Sequence, residues 1–166
     1  MIFKIEGPAV VVGDDIDTDI IIPTFALQKS RDPRMFADYA FYYTIPNFKE
    51  MPEKILVAGR NFGCGSSREE AVFALIHADV KAILARSFAP IFKRNAFNNA
   101  LLLIQMDTSQ IAENDLVEID FEKKAVYDRT QSREYKFSLS SAQERLILEG
   151  GLLNMLRSRL KNLDLP

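Results

Sequence analysis

The sequence predicts an α/β fold with a right-handed parallel core, and two observations lead there. Three short apolar runs, at 55–58, 82–85 and 100–104, have the length and continuity of strands covered on both faces. Two helical segments separate them. In the first, Ala71, Ala74, Leu75 and Ala78 recur at helical spacing; the second opens at Pro90 and runs through IFKRNAFNN to residue 99. Strand, helix, strand, helix, strand is the signature of a parallel sheet with crossover helices.

Taken in order, residues 2–6 and 9–12 read as two short strands around a Gly7-Pro8 turn. GDDIDTDIIIP follows at 13–23. Asp15, Asp17 and Asp19 alternate, so an extended backbone directs all three to one face, where they need solvent, a cation or basic side chains. A calcium loop from Asp15 lacks the glycine at its sixth position and the glutamate at its twelfth, which hold Ile20 and Ala26. Two readings remain: an exposed turn in which Asp17 and Thr18 bond nearby amides, or a cleft in which Asp17, Thr18 and Asp19 orient an arginine or polar group. TFALQKSRD has neither helical nor strand period and reads as a loop from which Lys29 or Arg31 reaches an anion. Asp32-Pro33 has the form of a helix start, with Asp32 as N-cap. Met35, Phe36, Tyr39, Phe41, Tyr42 and Tyr43 read as core or partner packing, since no basic residues interleave them.

Strand 55–58 ends at Gly59 and leads into GRNFGCGSSREE. Gly59, Gly63 and Gly65 suit backbone conformations or close approaches that a side chain blocks. A helix is expected from Ser66 or Ser67, with Glu69 or Glu70 completing a capping box. Free backbone N–H groups, serine hydroxyls and Arg68 together suit an anion. The spacing fails the dinucleotide fingerprint and lacks the lysine of a nucleotide-triphosphate loop. His77, the only histidine, lies about three turns along the helix, poorly placed to exchange a proton with Ser66 unless another segment folds over it. In a parallel sheet, ligands sit beyond the strand carboxyl ends, so residues 59–68 and Arg86-Ser87 should share one rim. The site read from these residues binds an anionic small molecule.

Beyond the core, 111–115 reads as a polar turn, 117–121 and 135–139 as strands of a small antiparallel extension, and KKAVYDRTQSR as their connection. Helical periodicity returns from Ser141, breaks at Gly150-Gly151 and resumes from Leu152. The length of 166 residues suits one domain, 1–166, with one core. A net charge of -2 without a basic run argues against nucleic acid as a partner. Cys64 has no second cysteine for a disulfide or metal cluster, and no signal peptide or membrane-length apolar segment is present, so the cytoplasm is the expected compartment.

GDDIDTDIIIP at 13–23, GRNFGCGSSREEA at 59–71 and RSFAPIFKRNAFNNALLLI at 86–104 together resemble the small subunits of isopropylmalate dehydratase and homoaconitase, which correspond to the swivelling domain of aconitase. The resemblance covers nearly the whole chain. It implies an aconitase-like swivelling domain with a parallel three-layer or β/β/α core and a small additional strand region. The implied activity is that of a hydro-lyase subunit interconverting 2-isopropylmalate and 3-isopropylmalate by dehydration and rehydration. Alternatives are a homoaconitase or dimethylmalate-type small subunit, or a non-catalytic anion-binding regulatory domain.

By the same resemblance, Ser66 matches the serine whose alkoxide removes a proton from carbon, and Arg68 the arginine that contacts substrate carboxylate and favours the ionised serine. Asp17, Thr18 and Asp19 match the family's aspartate-rich motif and are implied to shape the cleft; read from the residues themselves, Ser67 beside the turn, Arg86 and Ser87 on the rim, and Phe25, Leu27, Lys29 and Arg31 in the loop are the further substrate-binding candidates. No metal ligand is expected in this chain. A 4Fe-4S cluster is expected in a large aconitase-like partner subunit, in a heterodimer or heterotetramer acting on a hydroxy di- or tricarboxylate in leucine biosynthesis. Two positions depart from the family pattern. Glu70 stands where histidine or glutamine is frequent, and Phe25-Ala26-Leu27-Gln28 replaces a run of tyrosine, leucine, and arginine or valine. The second leaves isopropylmalate, homocitrate and methylated malates open as substrates.

Overall fold

The computed structural model describes residues 4–162. Strands β1 (Lys4–Val11), β2 (Lys54–Ala58), β3 (Val80–Ala85), β4 (Leu102–Gln105), β5 (Leu116–Asp120), β6 (Ala125–Asp128) and β7 (Arg133–Lys136) form one sheet in the order β4-β3-β2-β1-β5-β6-β7. The sheet is mixed. β1 to β4 run parallel, whereas β5 pairs antiparallel with β1 and continues as a meander through β6 and β7. Helix α3 (Glu70–His77) carries the chain from β2 to β3 and α4 (Pro90–Asn98) from β3 to β4. Both steps go the same way along the sheet, so right-handed crossovers place both helices on one face.

The apolar pattern explains this arrangement. Every residue of β2 is buried, as a central parallel strand requires, and Ala71, Ala74, Leu75 and Ala78 are all buried on one face of α3. Against α3 packs a 3-10 helix, Pro33–Tyr39, capped by Asp32, whose carboxylate accepts from the Arg34 N–H at 3.0 Å. Lys54 is the one charged residue of β2. Its ammonium is fully buried, yet it donates to the carbonyls of Met51 and Ala78 and lies 4.9 Å from the centre of the Phe48 ring. Burial lowers its pKa, and the Ala78 carbonyl places the amine at the negative end of α3.

Several elements differ from the sequence reading. Gly7-Pro8 is no turn: β1 runs straight through it, while residues 2 and 3 of the expected strand lie outside the described residues. Pro8 faces Leu116 of β5, and pairing with β2 begins only at Ala9, so its missing N–H interrupts no bond to β2. A Cβ on Gly7 would stand 1.9 Å from the Glu53 carbonyl oxygen, so the glycine permits this close approach.

The expected connection KKAVYDRTQSR contains a strand, β6, whose alternation is disguised by the buried Asp128. β7 ends at Lys136, short of the expected 139. TFALQKSRD is not structureless, because it contains the short helix α2 (Ala26–Lys29), anchored by buried Ala26. At the carboxyl end, α5 (Ser141–Leu148) has a complete capping box between Ser140 and Gln143, and α6 (Leu152–Asn162) follows the Gly150-Gly151 break.

Candidate functional site

Two segments meet beyond the carboxyl ends of β1 and β2. The first, after β1, turns into α1 (Thr18–Ile21), where the Asp17 carboxylate caps the helix by accepting from the Asp19 N–H at 2.7 Å. The alternating aspartates therefore do not share an extended face. Asp14 accepts from the Arg60 N–H at 2.6 Å and Asp15 from the Asn61 amide at 2.9 Å, so the first two hold the turn after β2. Asp17 and Asp19 organise the serine turn.

That second segment, 59–69, is sewn to the first by backbone bonds from the Gly63 N–H to Ile16 and from the Thr18 N–H to Cys64, both 2.8 Å. Gly65 is the point of closest approach. It adopts φ +97°, and a Cβ there would lie 2.0 Å from an Asp17 carboxylate oxygen. Helix α3 begins at Glu70, later than expected, and Glu69 caps it without a side-chain bond. The serines consequently remain in the turn and form no capping box.

Ser66 lies half-buried in this turn. Its Oγ is 2.6 Å from the Thr18 hydroxyl and accepts from the Arg68 N–H at 3.3 Å. The Arg68 guanidinium is held in turn: one nitrogen pairs with Asp19 at 2.6 Å and another donates to the Thr24 hydroxyl at 3.3 Å. Thr24 donates to Asp19 at 2.9 Å, closing a three-membered network. The bond from Arg68, reinforced by Thr24, holds the Asp19 carboxyl below its ordinary range. Cys64 goes the other way, as burial first and then the charges of Asp17 and Asp15 push its thiol up. It is a protonated neighbour at neutral pH rather than a nucleophile.

The remaining expected site residues spread outward from this centre. Ser67 is exposed, and its carbonyl accepts from the Asn95 amide at 3.3 Å. Phe25 turns into an edge-to-face cluster with Tyr39, Tyr42 and Tyr43, and half-buried Leu27 packs on the core. Lys29 and Arg31 are exposed. Arg86 and Ser87 join the same rim through the backbone, with the Arg86 N–H donating to the Gly59 carbonyl at 3.0 Å and the Ser87 hydroxyl accepting from the Asn61 N–H at 2.8 Å. The Arg86 side chain, however, faces Asp107 at 3.6 Å, in an open cavity of about 590 Å³ that includes Gln105 and Ser109. A separate cavity of about 310 Å³ adjoins Ser66 and Ser67, walled by Ala89, Pro90 and Ile91.

Thr24 and Asn95 were not anticipated from the sequence. Asn95 carried a signal, since it interrupts the buried face of α4 between Phe92 and Ala96. Thr24 carried none.

Comparison with known proteins follows the same outline. The family model described as the aconitase C-terminal domain matches residues 18–109, which include α1, the serine turn and the parallel core. The chain belongs to that family. The methanogen homoaconitase small subunit of Methanocaldococcus jannaschii is 42% identical over 158 residues, covering 93% of this chain and 92% of that one. The 3-isopropylmalate dehydratase small subunit of Nautilia profundicola is also 42% identical, over 90% of this chain and 92% of its own. A crystal structure of 3-isopropylmalate dehydratase from M. jannaschii superposes with a TM-score of 0.91 at 38% identity, covering 96% of each chain. This aconitase-family chain is thus a small subunit of the isopropylmalate dehydratase and homoaconitase type, a hydro-lyase component that works within a heteromeric complex. Among the described residues no three His, Cys, Asp or Glu converge as metal ligands, and the single cysteine does not suit a 4Fe-4S cluster. No described helix is long and apolar enough to cross a membrane.

Proposed function

We propose that this chain, bound to a large aconitase-like subunit, interconverts 2-isopropylmalate and 3-isopropylmalate in leucine biosynthesis, with Ser66 as the base that takes the proton from carbon and Arg68 as the group that receives a substrate carboxylate. The observation that carries this reading is the placement of Ser66 Oγ against the Arg68 N–H, with the Arg68 guanidinium held by Asp19 and Thr24. A free serine hydroxyl is a poor base near neutral pH, so its alkoxide requires surrounding donors and positive charge. Arg68 provides the charge. Only some of its five N–H donors are engaged by Asp19 and Thr24, leaving others for a carboxylate. A 4Fe-4S cluster, the Lewis acid suited to loss of the substrate hydroxyl, belongs in this proposal to the large subunit. The cytoplasm, where Cys64 stays reduced, is the compartment assigned to the complex.

A second substrate, homocitrate, is favoured by one feature. With Phe25 drawn into the tyrosine cluster and Leu27 resting on the core, the exposed side chains near the end of α2 include Lys29 and Arg31, which suit a distal carboxylate. The test is co-expression with the large subunit, anaerobic cluster reconstitution and comparison of kcat/KM for isopropylmalate and homocitrate. Turnover of isopropylmalate, reduced about 10³-fold or more in kcat by Ser66→Ala, supports the main reading. Preference for homocitrate moves the assignment to the second substrate, and a fully active Ser66→Ala complex removes Ser66 as the base.

A further inference from the structure

We propose that Thr18 is a positioning residue for the reaction: its hydroxyl donates to Ser66 Oγ and holds that oxygen in its anionic, proton-accepting form. The inference rests on the reading of Ser66 as the base. Thr18 is fully buried, and among the described residues its hydroxyl has one hydrogen-bond partner, Ser66 Oγ at 2.6 Å. Its backbone is fixed on both sides. The Thr18 N–H donates to the Cys64 carbonyl at 2.8 Å, and its carbonyl accepts from the Ile22 N–H at 2.9 Å. The hydroxyl is therefore delivered to Ser66 by a backbone that the serine turn itself clamps.

While both hydroxyls are neutral, either can donate. Once Ser66 has lost its proton it can only accept, and the shared hydrogen must come from Thr18. The separation of 2.6 Å falls within the range of an O–H donor to an anionic oxygen, whereas the Arg68 N–H stands at 3.3 Å.

The charges around Ser66 explain why a neutral donor matters. From its own turn it has Arg68 and Cys64; from the α1 side come the carboxylates of Asp17, which rests against Gly65, and Asp19, which partly neutralises Arg68 at 2.6 Å. Two negative groups oppose a serine alkoxide and the nearby positive charge is shared. A donor without a competing acceptor then decides how much alkoxide is present at a given pH.

The measurement is the pH dependence of kcat in the reconstituted two-subunit complex for Thr18→Val, Thr18→Ser and Ser66→Ala. Thr18→Val is expected to lower kcat about 10- to 100-fold with KM within about threefold. It should also shift the limb on which activity rises with pH to higher pH, and Thr18→Ser should restore both. Assembly is checked by thermal melting and complex size. Should Thr18→Val fail to assemble, Thr18→Ala against Thr18→Ser isolates the same oxygen. An unshifted profile without the hydroxyl, or a serine variant no better than one lacking it, overturns the proposal. An active Ser66→Ala complex overturns the underlying reading of Ser66, whereas an inactive one beside an unshifted Thr18→Val overturns the role of Thr18 alone.

Discussion

Two acid-rich regions of this molecule use carboxylates in opposite ways. In the antiparallel extension, Asp115, Glu118, Asp120 and Asp128 are all buried, and their partners hold strands together: Glu118 bonds Arg129 at 2.7 Å and Lys4 at 3.1 Å, linking β5 to β1. In the loop after β1, Asp14, Asp15 and Asp19 are exposed and Asp17 is half-buried, yet each is spent on another segment or on a helix cap. Burial makes the first set part of the fold. The second set contributes less to stability, because solvent screens exposed pairs, and instead places the groups that surround Ser66.

The comparison is broken most severely at Gly65. Replacing it by alanine forces a Cβ into the Asp17 carboxylate and strains a left-handed φ. The expected result is at least a 100-fold loss of turnover in the assembled complex, together with a melting temperature lowered by the equivalent of about 1–3 kcal/mol. Steady-state assay and calorimetry on the same preparation check both.

Asp19→Asn is the next largest, with about a 10-fold loss in kcat/KM and little change in melting temperature, since Asp19 is largely exposed and its value lies in aiming Arg68. The pair with Arg68 forms fully above the ordinary carboxylate range and is lost as pH falls through the lowered Asp19 value.

The extension should respond in the reverse sense. Glu118→Gln is expected to destabilise the chain by about 1–2 kcal/mol while leaving turnover unchanged; Arg129 and Lys4 are half-exposed and return to water, which keeps the loss below that of a fully buried pair. The bond from Arg129, ahead of the opposing effect of burial, keeps the Glu118 carboxyl below its usual range. Its stabilisation is thus complete above the unfolded value near 4.5 and fades as pH drops through the lower folded value, so melting curves of wild type and variant should converge in acid.

The smallest effect is expected at Asp128. Burial, and then the neighbouring Asp115 carboxylate, raise its pKa, and among the described residues the buried Asp128 Oδ2 has no hydrogen-bond partner. A raised carboxyl removes stability as pH climbs from the unfolded value to the folded one. Asp128→Asn, a neutral side chain of the same shape that does not titrate, should match or slightly exceed wild-type stability at neutral pH, by less than about 1 kcal/mol, with a flatter pH profile. Urea melts across pH 4–8 measure it.

The parallel core was legible because its evidence is local. Apolar runs such as 55–58 and 82–85, the helical spacing of Ala71, Ala74 and Leu75, and Pro90 at the first position of α4 each act within a few residues. Glycines 63 and 65 with Ser66 and Arg68 likewise marked the turn that packs against the segment after β1. β6 was hidden because charged flanks and a buried aspartate broke the alternation, and Asp128 is buried against the turn that follows β6, whose Gln131 N–H donates to it at 2.9 Å.

From the order of its residues alone, the chain determined an α/β core, a glycine-rich turn at a strand end and a serine beside an arginine, since propensity, periodicity and turn chemistry are short-range. Tertiary structure decided what that serine touches. Thr18 and Ser66 are 48 residues apart, and Thr24 and Arg68 are 44 apart. These contacts exist because β1 and β2 run parallel side by side and release both loops at the same end of the sheet. Strand register, a property of pairs of segments, turned a row of aspartates and threonines into the setting of one oxygen.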